Sequence, residues 1–297
     1  MAIKKLPSTG DAPRATGVPD SLVPGGDADS AGFPWEGRTF DHHGTAFEND
    51  DGSAPEALTR AIQRVRHAAR GFAEAAPGAQ PAALAELGEA HAEAVATLAE
   101  VRLLIPLLAE AGDVGVTPEG RTVEKSQELS IVTVAGPDGR RVMPAFSSTE
   151  AMRQWNAEAR PIPVPGPQLA LAAAQEETDL IIIDPGNPER EFGVRRPAIR
   201  AMALGERILP AWADPVVRGA FAAVSVDDAL EAIALMPGDP EGRLLQPETE
   251  VHLLLAAGTS EVELQRLLEE LQRRWAAQET IAARVDSMRV RPAGLRG

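Results

Sequence analysis

The chain has 297 residues, 44% of them hydrophobic and 25% charged, and a formal net charge of −15. That is the balance of a folded soluble protein with room for two domains, and its acidity sets most of the surface against a nucleic-acid backbone. Cysteine is absent, which removes disulfides, thiolate nucleophiles, iron–sulfur clusters and cysteine zinc sites together.

No apolar run approaches the ~18 residues that a membrane span needs. The opening "MAIKKLPSTGDAPRATG" has two lysines with no apolar segment behind them, so no signal peptide is read and a cytoplasmic protein is expected. Residues 1–54 are dense in Gly, Pro, Asp, Ser and Thr, a composition that predicts a flexible arm. Within it, residues 32–40 form an apolar island in which Phe33, Trp35 and Phe40 are candidate docking anchors for a partner or for the protein's own body.

The first domain is expected over 55–205. Leu58, Ile62, Val65 and Ala69 recur at helical spacing, with Pro55 suited to the first turn and Gly71 to the end. An alanine-rich helix follows, then the short buried strand "VRLLIPLLAE" and a polar loop, "AGDVGVTPEGRTVEKSQ". Two β-branched runs around Pro-Asp-Gly read as a hairpin. Further on, "PQLALAAAQEE" reads as a helix, "DLIIID" as a buried strand, "REFGVRR" as a short strand and "PAIRAMALGE" as a helix closed by Gly205.

The second domain, over 206–291 with a tail at 292–297, reads as the strand "RILPAW", a helix capped by Asp214, the strands "ALEAIALMPG" and "ETEVHLLLAAG", a long helix and the strand "VDSMRVRP". The order βαββαβ is ferredoxin-like. The fold class expected is therefore α+β, a mixed-sheet domain followed by a ferredoxin-like one. In the long helix Leu264, Leu267, Leu268, Leu271 and Trp275 form one stripe, and Ser260 with Glu263 can make a capping box.

Three stretches invite chemistry. "FSSTEAMRQW" is hydroxyl-rich, yet a nucleophilic serine needs a base nearby. Histidine occurs only at 42, 43, 67, 91 and 252. The stretch therefore reads as a helix cap, Ser147 accepting from the amide of Glu150 and Glu150 reaching back. In "FDHHGTAFENDDG", Asp41, His42, His43, Glu48, Asp50 and Asp51 are metal-type side chains without a zinc or calcium spacing, so no metal is expected. In "LIIIDPGNPEREFGVRRPAIR", Asp184 ends a buried strand, where α/β sheets place ligands. Arg195 and Arg196 in the same stretch precede a helix N-terminus that suits an anion. Read blandly, Asp184 sits in a turn and both arginines are solvated. No Walker or dinucleotide loop is present, and no cofactor is expected.

Together, "GFPWEGRTF", "FENDDGSAPEAL", "VRLLIPLLAE", "GPDGRRVMPAFSSTEAMRQW", "ARPIPV", "LIIIDPG" and "VRRPAIRAMALGE" resemble, in order, the SseB N-terminal domain family in its actinobacterial form, over roughly residues 32–205. The C-terminal half resembles the SseB C-terminal domain found with it. The family pattern has Phe-Thr-Ser where this chain has Phe-Ser-Ser, a change that keeps the hydroxyls. The resemblance implies no catalytic residues to carry across, and it draws "PWEGR" and "DDGS" into the family pattern. A non-enzymatic interaction or regulatory protein is the leading expectation, with a protein partner or self-association. A sensor of a small anionic metabolite near 184–196 is the alternative, and an enzyme without a recognisable motif ranks third.

Overall fold

The computed structural model describes residue 47 and residues 50–110, 114–116, 122–124, 128–136 and 138–293. Asn49–Gly297 forms one compact unit. The anchors Phe33, Trp35 and Phe40, and His42 and His43, lie outside the described residues.

The chain is α+β. Two helices come first, α1 (Glu56–Glu74) and α2 (Gln80–Glu100), and they pack together. The buried residues of α1, among them Leu58, Ile62, Val65 and Ala69, are those of the expected stripe, although the helix runs through Gly71. Strand β1 (Arg102–Glu110) follows, and it centres an antiparallel sheet between β4 (Glu128–Ile131) and β7 (Arg160–Pro165). The stretch read as a polar loop carries a small hairpin instead, β2 (Val114–Val116) with β3 (Thr122–Glu124). The two strands are only Val-Gly-Val and Thr-Val-Glu, too short to register as strands by periodicity.

A second, mixed sheet has the order β5 (Val134–Ala135), β6 (Arg141–Ala145), β8 (Leu180–Ile183), β9 (Phe192–Val194). β5 and β6 pair as the expected hairpin, with Val134 opposite Val142 and Gly139 at a φ of 80°. Its first β-branched run is split, however, since β4 pairs with β1 and only β5 with β6. β6 and β8 are parallel, so the connection between them carries two helices, α3 (Thr149–Trp155) and α4 (Gly166–Gln175), and the strand β7. At the start of α4 a Cβ on Gly166 would overlap the carbonyl oxygen of Leu98, so this close approach to the end of α2 requires glycine. Helix α5 (Arg196–Leu204) ends at Gly205 in the left-handed conformation, as expected.

The C-terminal half has α6 (Pro215–Val224), β10 (Leu230–Pro237), β11 (Thr249–Leu255), α7 (Glu261–Ala277), α8 (Glu279–Arg284) and β12 (Met288–Ala293). Asp214 caps α6, and Ser260 with Glu263 makes the capping box of α7. Leu264, Leu267, Leu271 and Trp275 are buried, so the stripe of α7 packs inside its own unit. The strand read over 207–212 is not formed. Pro210 has no N–H to give a ladder, its carbonyl accepts from Ala213 and Asp214 in a turn, and the amide of Ala211 donates to a Glu248 carboxylate oxygen. The half is thus αββααβ around a three-stranded sheet, β10-β11-β12, with β12 parallel to β11.

One hydrophobic cluster runs from Leu58 through Leu98, Ile183, Phe192 and Trp212 to Leu267 and Val285. Both halves therefore contribute to the same core. Among the described residues, no helix is long and apolar enough to cross a membrane.

Candidate functional site

β6 and β8 lie side by side and parallel, so their C-terminal ends emerge together, and the two stretches that drew attention separately in the sequence meet there. The Ser147 amide donates to Oδ1 of Asp184 at 2.8 Å and its hydroxyl to Oδ2 at 2.5 Å. Both residues are buried. The cap of α3 is made one residue later than the sequence suggested. Ser148, not Ser147, accepts from the amide of Ala151, and Glu150 bonds to Gln154 rather than back to the cap. The reason is the strand-end carboxylate, which holds the Ser147 side chain in the sheet and leaves its neighbour to cap. The Phe146 ring lies 5.3 Å from that of Trp155 in a tilted contact at the far end of α3.

Asp184 itself sits at a φ of 46°, a left-handed conformation that aspartate tolerates better than most residues. Burial pushes its pKa up. The Ser147 bonds and the charge of Arg190 oppose that without cancelling it. The same corner holds the last residues of the stretch 1–54 that reads as an arm. Arg102 donates to the carbonyl of Ser147 and to that of Ser53, each at 2.7 Å, and it also pairs with Asp50. The amide of Thr149 donates to the carbonyl of Gly52 at 2.9 Å. "DDGS" is thereby tied to the first turn of α3. Asp50 and Asp51, two of the metal-type residues, are engaged by Arg102 and by the amide of Ser53.

Arg195 is neither solvated nor free for a ligand. It is buried, and it donates to Asp239 at 2.7 Å, Asp286 at 3.1 Å, the Ser287 hydroxyl at 3.2 Å and the Gln246 carbonyl at 2.9 Å. Asp286 also takes both ends of the Arg140 guanidinium, at 2.8 and 3.1 Å. Burial works against ionising Asp286, yet Arg140 and Arg195 outweigh it and hold its pKa below the usual carboxylate value. Arg196, the next residue, is exposed at the start of α5. Asp184 and Arg195 share no partner, so the structure builds two separate polar clusters from the three residues singled out there.

Beside the Arg195 cluster lies a cleft of about 50 Å³ lined by His91, Phe192, Trp212, Asp239 and Glu248. The His91 ring sits 5.7 Å from the rings of both Phe192 and Trp212, and its Nε2 lies 2.9 Å from the Pro240 carbonyl. Burial lowers its pKa to about 4, so at neutral pH the ring is uncharged and Nε2–H donates to that carbonyl. Glu248 accepts from the amides of Ala211 and Asp286, and burial raises its pKa. A volume of about 50 Å³ accommodates one or two waters rather than a metabolite. Sequence reasoning passed over His91, though a signal existed. It lies four residues from both Leu87 and Val95 on the buried side of α2, a polar side chain in an apolar stripe. Asp239, Glu248 and Asp286 lie outside regular elements or at their edges, where no periodicity marks them.

Residues 81–201 match the family model of the SseB protein N-terminal domain. The match begins in α2 and ends in α5, short of the "GFPWEGRTF" and "DDGS" stretches. No curated protein and no solved structure matches the chain.

Proposed function

From the match of residues 81–201 to the family model of the SseB protein N-terminal domain and from the geometry above, we propose that the chain is a cytoplasmic interaction or regulatory protein that performs no covalent chemistry of its own. The observation that carries this reading is the mutual saturation of the side chains that could have reacted. The Ser147 hydroxyl donates to Asp184, Arg195 is shared between Asp239 and Asp286, and His91 is neutral and bonded to a backbone carbonyl. Each of these three groups is held by the fold, and the cleft beside Arg195 and His91 has space for one or two waters. The partner-binding element is the aromatic segment at residues 32–40. Downstream of it, Asp50 to Ser53 are fastened to Arg102 and Thr149.

The test is affinity capture from native lysate with the full chain and with a Phe33→Ala/Trp35→Ala/Phe40→Ala variant. A protein retained in near-stoichiometric amount by the first and lost by the second supports the reading. Equal recovery by both removes the segment from it.

A further inference from the structure

The described residues leave three long sheet edges, and they are treated differently. The outer edge of β7 is interrupted by Pro161, Pro163 and Pro165, and β12 carries Arg289, Arg291 and Pro292. Prolines and charges of that kind are how sheets prevent strand addition. β10 has neither along its middle. Its sequence Leu-Glu-Ala-Ile-Ala-Leu-Met-Pro is neutral from Ala232 to Met236, and among the described residues only β11 pairs with it.

This edge is also the floor of a groove of about 500 Å³. Four consecutive residues, Ile233 to Met236, line it. Inward and outward side chains alternate along a strand, so an unbroken run of four means that the edge itself faces the groove. One wall is the start of α2, where Leu84 is half-buried. The other is α6, with buried Phe221 and exposed Ala222. The walls carry a single charge, Arg218, which is exposed and makes no ion pair among the described residues.

We propose that this groove is a strand-addition site for an extended peptide segment of a partner protein, with apolar residues at alternate positions and a carboxylate that meets Arg218. The unpaired edge supplies main-chain donors and acceptors, which only an extended chain can match along its length. The apolar walls receive every second side chain, and four paired residues span ~13 Å. The flanking helices favour a single slim strand over the sheet of a second copy. The lone cation gives the groove a complementary sign for a carboxylate, on a chain whose net charge of −15 repels acidic partners elsewhere. The site is independent of the aromatic segment at 32–40, so either can fail without the other.

The experiment is selection of a displayed library of random twelve-residue peptides on the immobilised full chain, followed by affinity measurement with the enriched peptides made synthetically. Enriched sequences are expected to alternate apolar residues, to carry Asp or Glu, and to slow amide hydrogen exchange in β10. Ala222→Trp, at an exposed position on α6, fills the groove and is expected to abolish binding. Arg218→Glu leaves the groove open and is expected to weaken binding about three- to fivefold, the size of one exposed ion pair. Three results overturn the proposal: no enrichment, binding that survives Ala222→Trp, or exchange in β10 that the peptides leave unchanged. A dimer in sedimentation that Ala222→Trp dissociates overturns it too, in favour of a second copy on this edge.

Discussion

Asp184 holds a positive φ and both hydrogen bonds of Ser147 with one carboxylate. It does so with a pKa that burial has raised. A raised pKa means that the folded state binds the proton more tightly than the unfolded chain, so this stabilisation is present below the unfolded value and is lost as pH rises through the folded one. The ionised form therefore carries a burial cost that the Ser147 bonds oppose. Asp184→Asn keeps an acceptor for the Ser147 amide, removes the charge and tolerates the left-handed conformation. Its urea midpoint at pH 7 is expected to equal or exceed the native one. Asp184→Ala orphans a buried N–H and places Cβ-bearing alanine at positive φ, and about 2–4 kcal/mol should be lost. If the asparagine variant falls as far as the alanine, the ionised carboxylate is needed and a ligand role returns. His91 has the opposite sign. Its pKa is lowered to about 4, so its contribution is complete above the unfolded value near 6.5 and is lost as pH falls from there through 4. Stability measured at pH 7 and pH 4 should differ by on the order of 2–3 kcal/mol less in His91→Gln than in the native chain. The glutamine can still donate to the Pro240 carbonyl, and an unchanged difference would mean that another group carries the pH dependence.

At the scale of elements, the helices and the buried strands were legible because their periodicity is the same force that buries them. α1 and α4 lie where the apolar spacing put them, although α1 continues past Gly71 to Glu74, and α5, α6 and α7 lie where spacing and caps did. β8 is buried at all four positions as its run of isoleucines implied. What the sequence hid were choices made by partners distant in the chain. Ser147 and Ser148 are equivalent as local caps, and Asp184, 37 residues away, selects the second by engaging the first. "RILPAW" has the apolar content of a strand, yet the carboxylate of Glu248 takes the Ala211 amide that a ladder would have used. Arg195 at a helix start read as an anion site or as solvated, and its actual partners come from Asp239 and Asp286, which no local pattern ties to it. Such long-range polar pairing leaves no trace in a hydrophobic period. That is why the elements could be read while the polar clusters could not.

For the molecule as a whole, those same pairs lie across the line that composition drew near residue 205. Arg140 and Arg195 come from the first half, Asp239, Asp286 and Ser287 from the second, and the hydrophobic cluster continues on either side of them. Paired charges within a continuous core couple the halves, because separating them would expose apolar surface and strand buried carboxylates together. The native chain should therefore unfold as one unit. In hydrogen exchange under increasing denaturant, the amides of β8 and β11 should lose protection in a single step. Arg195→Glu sets a third carboxylate against Asp239 and Asp286, which should lower global stability by at least 3–5 kcal/mol. The two strands are still expected to open together, at a lower denaturant concentration. Arg195→Met, which removes the charge without reversing it, should fall between the two, since Asp239 keeps the amides of Arg243 and Leu244 and Asp286 keeps Arg140. Were β11 to open while β8 stayed protected in the Arg195→Glu chain, the halves would be separable domains clasped by the ion pairs, and the shared hydrophobic cluster would be an interface rather than one core.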